Sequence, residues 1–283
     1  MSLKHYLSVV NRRLLTHKFC IIFDVETTGF SGTNDRIIQF SAKKYKTILA
    51  QDGLKFELVD VFDTLINPLR TLPEFIINLT GITQYQVDAA NPENKVFGQI
   101  KDFLSGDCFL GAYNSPFDEK MVAALFNRMG WGWKSDYKEA LLGEDKPALF
   151  VDTFDILPLS RLVFSETKNH NLETVAAAIG ANEGLSFHSS LDDVEATMRV
   201  FKYILSYDVK DVPKKKLKLI SIDPWSPQQK ILRIYAKGNL GEELFFDVIR
   251  REWNLKSGGV LPYDEDDITA QCLTLRPDLR SFF

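Results

Sequence analysis

The stretch Phe23-Asp24-Val25-Glu26-Thr27-Thr28-Gly29 constrains this chain more than any other. The apolar run Phe19 to Phe23 leads into it and predicts a buried strand. Residues two apart on a strand share a face, so Asp24 and Glu26 project together. Two carboxylates on one face repel unless something positive lies between them. A divalent metal is the usual solution, because hard cations take oxygen ligands. Thr27, Thr28 and Gly29 then predict a polar turn in which Gly29 is free to take a positive φ. Taken alone, an Asp-x-Glu pair reads as a strand end whose acids face water. The rest of the chain decides between these readings.

The chain has 283 residues, enough for one large or two smaller domains. Hydrophobic residues make up 45% and charged residues 25%, as in ordinary globular proteins. The net charge of −4 carries no global basic signature, so attraction to a nucleic acid has to be local or metal-mediated. Cys20, Cys108 and Cys272 are widely spaced, which argues against a disulfide framework or a zinc site. No apolar run approaches a membrane span, and Met1 to Lys18 lacks the apolar core of a signal peptide. The expectation is a cytoplasmic protein with no membrane partner.

Apolar spacing predicts an amphipathic helix over residues 3–16. Strands follow at 36–45 and 55–66, with Gln51-Asp52-Gly53 as the turn of an antiparallel hairpin. Short helical patterns cover 72–79 and 93–104, and Phe109 to Ala112 reads as a buried strand. Next comes Asn114-Ser115-Pro116-Phe117-Asp118. Ser115 is the expected N-cap, with Pro116 at the first helical position and Asp118 in the first turn. This helix is expected to reach Met129 and stop at Gly130. A strand at 149–152 and helices at 154–163 and 171–179 precede a third informative stretch, Phe187 to Asp193. There Ser190 is the expected N-cap, Asp193 lies three residues in, and His188 sits in the preceding loop. A first-turn acid also serves a capping box or the helix dipole, and a loop histidine is usually solvated.

Strands alternating with βα units imply an α/β domain with a mixed sheet. The expected division is a domain over 1–207, a charged linker over 208–218 and a small α+β region over 219–283. In that last region, strands at 231–236 and 244–249 flank a Gly238-Asn239 turn. Trp225, Tyr235, Phe245, Phe246 and Trp253 read as the core of a small domain or as a stacking platform for single strands. Residues from Asp264 onward read as peripheral.

In order and local context, these motifs resemble a known family. Asp24-x-Glu26-Thr27-Thr28-Gly29, Asn114-x-x-Phe117-Asp118, and His188 with Asp193 resemble the three motifs of the DEDDh 3′→5′ exonucleases. Asp35-Arg36-Ile37-Ile38 and Leu79-Thr80-Gly81-Ile82-Thr83 are similar to intervening pieces of the group that holds the DNA polymerase III proofreading subunit and the PolC-type exonuclease domain. The resemblance covers about residues 18–205. Gln39 stands where many members carry Glu, and Ser190 where Ala is common.

The resemblance implies a ribonuclease H-like fold, a mixed sheet flanked by helices. It implies that Asp24, Glu26, Asp118 and Asp193 hold two Mg²⁺ or Mn²⁺ ions and that His188 is the general base. Two such metals stabilise both the attacking and leaving oxygens of an in-line displacement. Helix N-termini beneath Asp118 and Asp193 are expected to favour their ionised forms. Glu26 and Thr27 match positions that contact the terminal sugar. Asn114 and Phe117 are the remaining substrate-binding candidates, Phe117 near the last base. The expected reaction removes nucleoside 5′-monophosphates from a nucleic-acid 3′ end, with DNA favoured over RNA and a DNA polymerase as a possible partner in trans. An exoribonuclease of the RNase T or oligoribonuclease kind uses the same motifs, since discrimination rests on the 2′-OH. A catalytically silent module that binds a nucleic-acid end or a polymerase is the alternative of another class.

Overall fold

The computed structural model describes residues 3–50, 53–134, 147–206, 216–224, 233–248, 251–256, 261 and 263–283. They form two compact units. One comprises residues 11–160 and 166–206, the other residues 1–10, 161–165 and 207–283.

The first unit is built on β1 (Phe19–Thr27), β2 (Ile37–Ala50), β3 (Gly53–Leu65), β4 (Cys108–Ala112) and β7 (Asp152–Asp155). The sheet order is β3-β2-β1-β4-β7, with β1 at its centre. β1, β2 and β3 are mutually antiparallel, whereas β1, β4 and β7 run parallel, giving the expected mixed sheet. β1 runs through the acidic pair, as the shared face of Asp24 and Glu26 requires. Residues 51 and 52 of the expected hairpin turn lie outside the described residues.

Strand alternation sorts β1 between two layers. Ile21, Phe23 and Val25 face the core beneath α4 (Glu93–Leu104) and α5 (Ser115–Arg128). There they meet Val96, Ile100, Met121, Val122 and Phe126, all buried. The opposite face carries Cys20, Ile22, Asp24 and Glu26. α8 (Ser190–Ser206) packs across β1 and β2, burying Val194, Met198, Phe201 and Ile204. Before β1, α1 (Leu3–Thr16) forms as its apolar spacing predicts. His17 then bridges two carboxylates, Asp107 ahead of β4 (2.8 Å) and Asp152 at the start of β7 (3.0 Å).

The middle of the chain differs in detail from expectation. The strand expected at 149–152 divides at Val151. β6 (Ala148–Phe150) pairs with β5 (Gly132–Lys134), while β7 joins the main sheet. α6 (Leu157–Val163) starts three residues later than expected, because Phe154 and Asp155 pair with β4. A short helix, α3 (Gln84–Asp88), was not expected. Its capping box closes between Thr83 and Gln86. α2 (Glu74–Thr80) and α7 (Leu172–Ala178) lie where the sequence predicts.

In the second unit, β8 (Leu219–Pro224), β9 (Arg233–Gly238), β10 (Glu243–Asp247) and β11 (Glu252–Leu255) form one antiparallel sheet. The expected hairpin is its centre. Phe246 and Trp253 are core residues, while Tyr235 and Phe245 are half-buried. Trp225 lies outside the described residues, as does 208–215 of the expected linker. The C-terminal end is not peripheral. α9 (Glu265–Leu275), capped by Asp264, and a 3₁₀ turn (Pro277–Phe282) bury Ile268, Cys272 and Leu279 against the sheet. Their apolar residues are too few to stand out among the acids at 264–267, but they close a core that a lone sheet leaves open.

Gly111 on β4 sits against the Phe154 ring, where an added Cβ would lie 2.2 Å from Cζ. That ring is wedged between Phe109 (4.4 Å between centroids) and Phe201 (4.9 Å), so it has little room to yield. Gly111→Ala is expected to destabilise the protein by roughly 1–3 kcal/mol, read as a lower urea midpoint at constant slope.

Candidate active site

The pairing of β4 with β1 ends at Ile22 opposite Gly111, so the acidic half of β1 has only β2 as a strand partner. The peptide group joining Asp24 to Val25 is held instead by side chains at both ends. Its carbonyl accepts from the Ser190 hydroxyl (2.9 Å), and its N–H donates to Asp118 Oδ1 (3.2 Å). Ser190 and Asp118 come from the first turns of α8 and α5. Two helix starts therefore converge on the peptide that separates the two β1 acids.

The helix starts correct two expectations. Ser115 and Ser190 are each the first helical residue instead of the N-cap. Asn114 occupies the cap position of α5 in a left-handed conformation (φ 66°) and makes no side-chain cap. The work falls to Asp155 at the end of β7, whose Oδ1 accepts from the N–H groups of Asn114 (2.9 Å), Ser115 (3.2 Å) and Leu157 (3.0 Å). The Ser115 hydroxyl donates to Glu119 (3.1 Å). The Ser190 hydroxyl is fully buried on β1, which gives a hydroxyl at that position a purpose that Ala cannot fill. Asp118 and Asp193 still occupy equivalent positions, each three residues beyond its serine.

Oxygens of Asp24, Glu26 and Asp193 lie within 4.8 Å of one another. Asp118 stands apart from that trio: it is buried (3% exposed), and one oxygen is committed to the Val25 N–H. His188 is exposed at the mouth. It adopts a positive φ (66°), and its N–H donates to Asp193 Oδ2 (3.3 Å). A non-glycine residue there is strained, and the bond to Asp193 helps hold it. The other Asp193 oxygen, Oδ1, is buried with no hydrogen-bond partner among the described residues. A buried, unpartnered carboxylate oxygen facing two further carboxylates is a donor set for a hard cation.

The electrostatics point the same way. Burial, then the neighbouring Asp193, pushes the Asp24 carboxyl up to about 7. Burial, then Asp24 and Asp193, pushes Glu26 to about 9. Asp193 rises to about 6 through burial, opposed by the His188 N–H, and Asp118 is raised well above the usual range by burial and Asp24. Helix N-termini are expected to favour the ionised forms of Asp118 and Asp193, but burial works against them and raises both carboxyls. Desolvation outweighs the dipole.

The turn after β1 is held by its own side chains. Thr27 donates to the Gly29 carbonyl (2.7 Å), so that hydroxyl proton is spent within the turn. Asp35 accepts from the Thr28 hydroxyl (3.0 Å) and the Ser31 N–H (2.8 Å). A Cβ on Gly29 would meet Asp35 Oδ2 at 2.7 Å, so glycine is required there for space; its φ is not positive. The turn presents Phe30, 75% exposed, edge-on to half-buried Phe117 at 5.9 Å. Phe30 and Asp155 are missing from the sequence-predicted site. The signals were a bulky apolar residue inside a polar loop and an acid ending a short strand. Gln39 lies opposite Glu26 and donates to Asp63 (2.9 Å), which a Glu in its place could not do when ionised.

Comparison with known proteins decides the family. The exonuclease family model matches residues 21–201. The chain belongs to the exonuclease family. It is of the DEDD type, whose members are 3′→5′ exonucleases. The chain is 33% identical over 203 residues to DNA polymerase III PolC-type of Bacillus cereus, covering 72% of this chain and 12% of that protein. It is 30% identical over 237 residues to DNA polymerase III PolC-type of Clostridium perfringens, covering 81% of this chain and 14% of that protein. It thus spans about an eighth of the length of these relatives. A solved full-length 3′-exonuclease shares the fold, with a TM-score of 0.51 and 20% identity over 67% of this chain and 60% of that one. The mixed sheet flanked by helices is ribonuclease H-like, as the sequence motifs imply.

Two outcomes test the site. Carboxyls raised in the folded state bind more protons there than in the unfolded chain. Their stabilising contribution is complete below about pH 4, the ordinary carboxylate range. It is lost as pH rises through about 6 for Asp193 and about 7 for Asp24. The melting temperature of metal-free protein should fall over that interval, less so in Asp24→Asn, and Mg²⁺ or Mn²⁺ should restore more of it at pH 8 than at pH 6. A metal effect independent of pH would contradict the assignment. Separately, Ser190→Ala should lower unfolding free energy by about 1 kcal/mol or more, since it leaves a buried carbonyl without its donor.

Proposed function

We propose that this chain hydrolyses the terminal phosphodiester at the 3′ end of DNA and releases nucleoside 5′-monophosphates. The convergence of Asp24, Glu26 and Asp193 carries this reading. The names of the PolC-type relatives support DNA over RNA and a DNA polymerase as a partner in trans. Divalent cations are implied by the family and fit the site, where three carboxylates and the unpartnered Asp193 Oδ1 offer only oxygen donors. Asp24, Glu26 and Asp193 would hold them directly, with Asp118 beside them. Two Mg²⁺ ions are proposed, with Mn²⁺ as a substitute. When bound, such cations stabilise charge on the attacking and leaving oxygens of the displacement.

The remaining work belongs to the protein's own groups. His188, at the mouth and tied through its N–H to Asp193, takes the proton of the attacking water on an imidazole nitrogen. Phe30 and Phe117 form an aromatic wall for the last base. Glu26, Thr27 and Asn114 line the approach of the terminal sugar, Thr27 through its hydroxyl lone pairs. Among the described residues no helix is long and apolar enough to cross a membrane. Cys20, Cys108 and Cys272 are buried free thiols, which supports a reducing, cytoplasmic setting.

The test is hydrolysis of 5′-labelled single-stranded DNA, mismatched duplex and single-stranded RNA with Mg²⁺, Mn²⁺ or EDTA. A metal-dependent ladder shortening from the 3′ end, fastest on DNA, is expected. Asp24→Asn should abolish it while the protein stays folded, and His188→Ala should lower kcat on the order of 10²-fold or more with little change in binding. A preference for RNA overturns the substrate assignment. End binding without hydrolysis overturns the enzymatic one.

A further inference from the structure

Residues 30–35 leave β1 and meet an unusual set of partners. Lys120 Nζ donates to the Phe30 carbonyl (2.7 Å) and Arg128 Nη1 to the Gly32 carbonyl (3.1 Å). Arg36 Nη1 donates to the carbonyls of Thr33 (3.2 Å) and Asp35 (2.8 Å), and Arg70 Nη1 to that of Asn34 (2.6 Å). Four cations from four places in the sequence thus hold one six-residue loop. A carbonyl orients a cation but does not neutralise it. Two carboxylates sit among them, and both are engaged. Glu93 forms a two-pronged pair with Arg128 (2.6 and 2.9 Å), and Asp35 is turned onto Thr28 and Ser31. Two positive charges remain in excess. The crowding is felt at Arg36, which burial, then Arg128 and Arg70, push below its ordinary value.

Lys120 and Arg70 are the exposed members, and among the described residues neither forms an ion pair. Each has spent one donor on a carbonyl and keeps the others. Arg70 is presented by a strained segment: Leu69 before it is 78% exposed with φ 53°, held there by Asn67 Oδ1 (2.8 Å). Nothing in the hydrolytic chemistry uses these two cations, and in a chain of net charge −4 they form a local exception.

We propose that Lys120 and Arg70, fastened at the start and the end of loop 30–35, form a phosphate track that holds the sugar–phosphate backbone of the substrate strand upstream of the scissile bond. The track rests on the exonuclease reading and deepens it. The acidic centre repels a polyanion until cations load it. A positive excess one loop away lets the strand dock by its backbone, without regard to sequence.

The experiment compares wild type, Lys120→Gln with Arg70→Gln, and Lys120→Arg. Binding of a single-stranded oligonucleotide is followed by fluorescence anisotropy across a salt series, beside steady-state hydrolysis of that strand and of a dinucleotide. The double variant should lose about 0.7 per charge removed from the log–log salt slope. Its KM for the long strand should rise severalfold with kcat retained, and Lys120→Arg should behave as wild type. The dinucleotide, whose single phosphate is the scissile one, should show no change. An unaltered salt slope overturns the track. So does an equal loss on the dinucleotide, which would make Lys120 and Arg70 fasteners of the loop alone. A wild-type protein that hydrolyses neither substrate overturns the exonuclease reading, and the anisotropy slopes then decide the track by themselves.

Discussion

The peptide group between Asp24 and Val25 is the point on which the site depends. Its carbonyl is bound by Ser190 and its N–H by Asp118. Those two bonds bring the first turns of α8 and α5 onto the strand just where β4 no longer pairs with it. Because Asp193 is one turn beyond Ser190, fixing the serine also fixes the carboxylate that meets Asp24 and Glu26. Small polar contacts of this kind are worth about 1 kcal/mol each. Their importance lies in register: a shift of one residue in either helix would carry its acid to another face.

Around that point the protein sorts its charge. The carboxylates are gathered where burial raises their proton affinity, so a cation would bind there in competition with protons. The cations are gathered one loop away, on the carbonyls of residues 30–35. The turn that separates the two sets is held by Thr27, Thr28 and Asp35 and has no room for a side chain at Gly29. The polar residues after the acidic pair therefore have a mechanical purpose: they set the distance between an acidic centre and a basic rim.

Much of this was legible in the sequence. Apolar spacing located α1, the long antiparallel pair and α4, because such spacing is a local property of the chain. The acids were found because their spacings, two on a strand and three beyond a serine on two helices, are local properties. The capping assignments failed by one residue. Ser115 and Ser190 look like N-caps in isolation, but the first cap belongs to Asp155, about forty residues later in the chain, and the second serine prefers a carbonyl on β1. The division of 149–152 between two sheets, and the burial of α9, were hidden for the same reason: partner strands are chosen by long-range pairing, which local patterns do not encode.

The sequence by itself determined the chemical inventory: four acids, a histidine, a turn and a mixed α/β scaffold, since residue type and spacing are properties of the chain alone. Only the tertiary structure decided that three of those acids share one small space while Asp118 serves a backbone N–H, and that four cations surround one loop. Those outcomes depend on which helix start reaches which peptide group, and the Ser190 hydroxyl and the Asp24 carbonyl lie 166 residues apart in the chain.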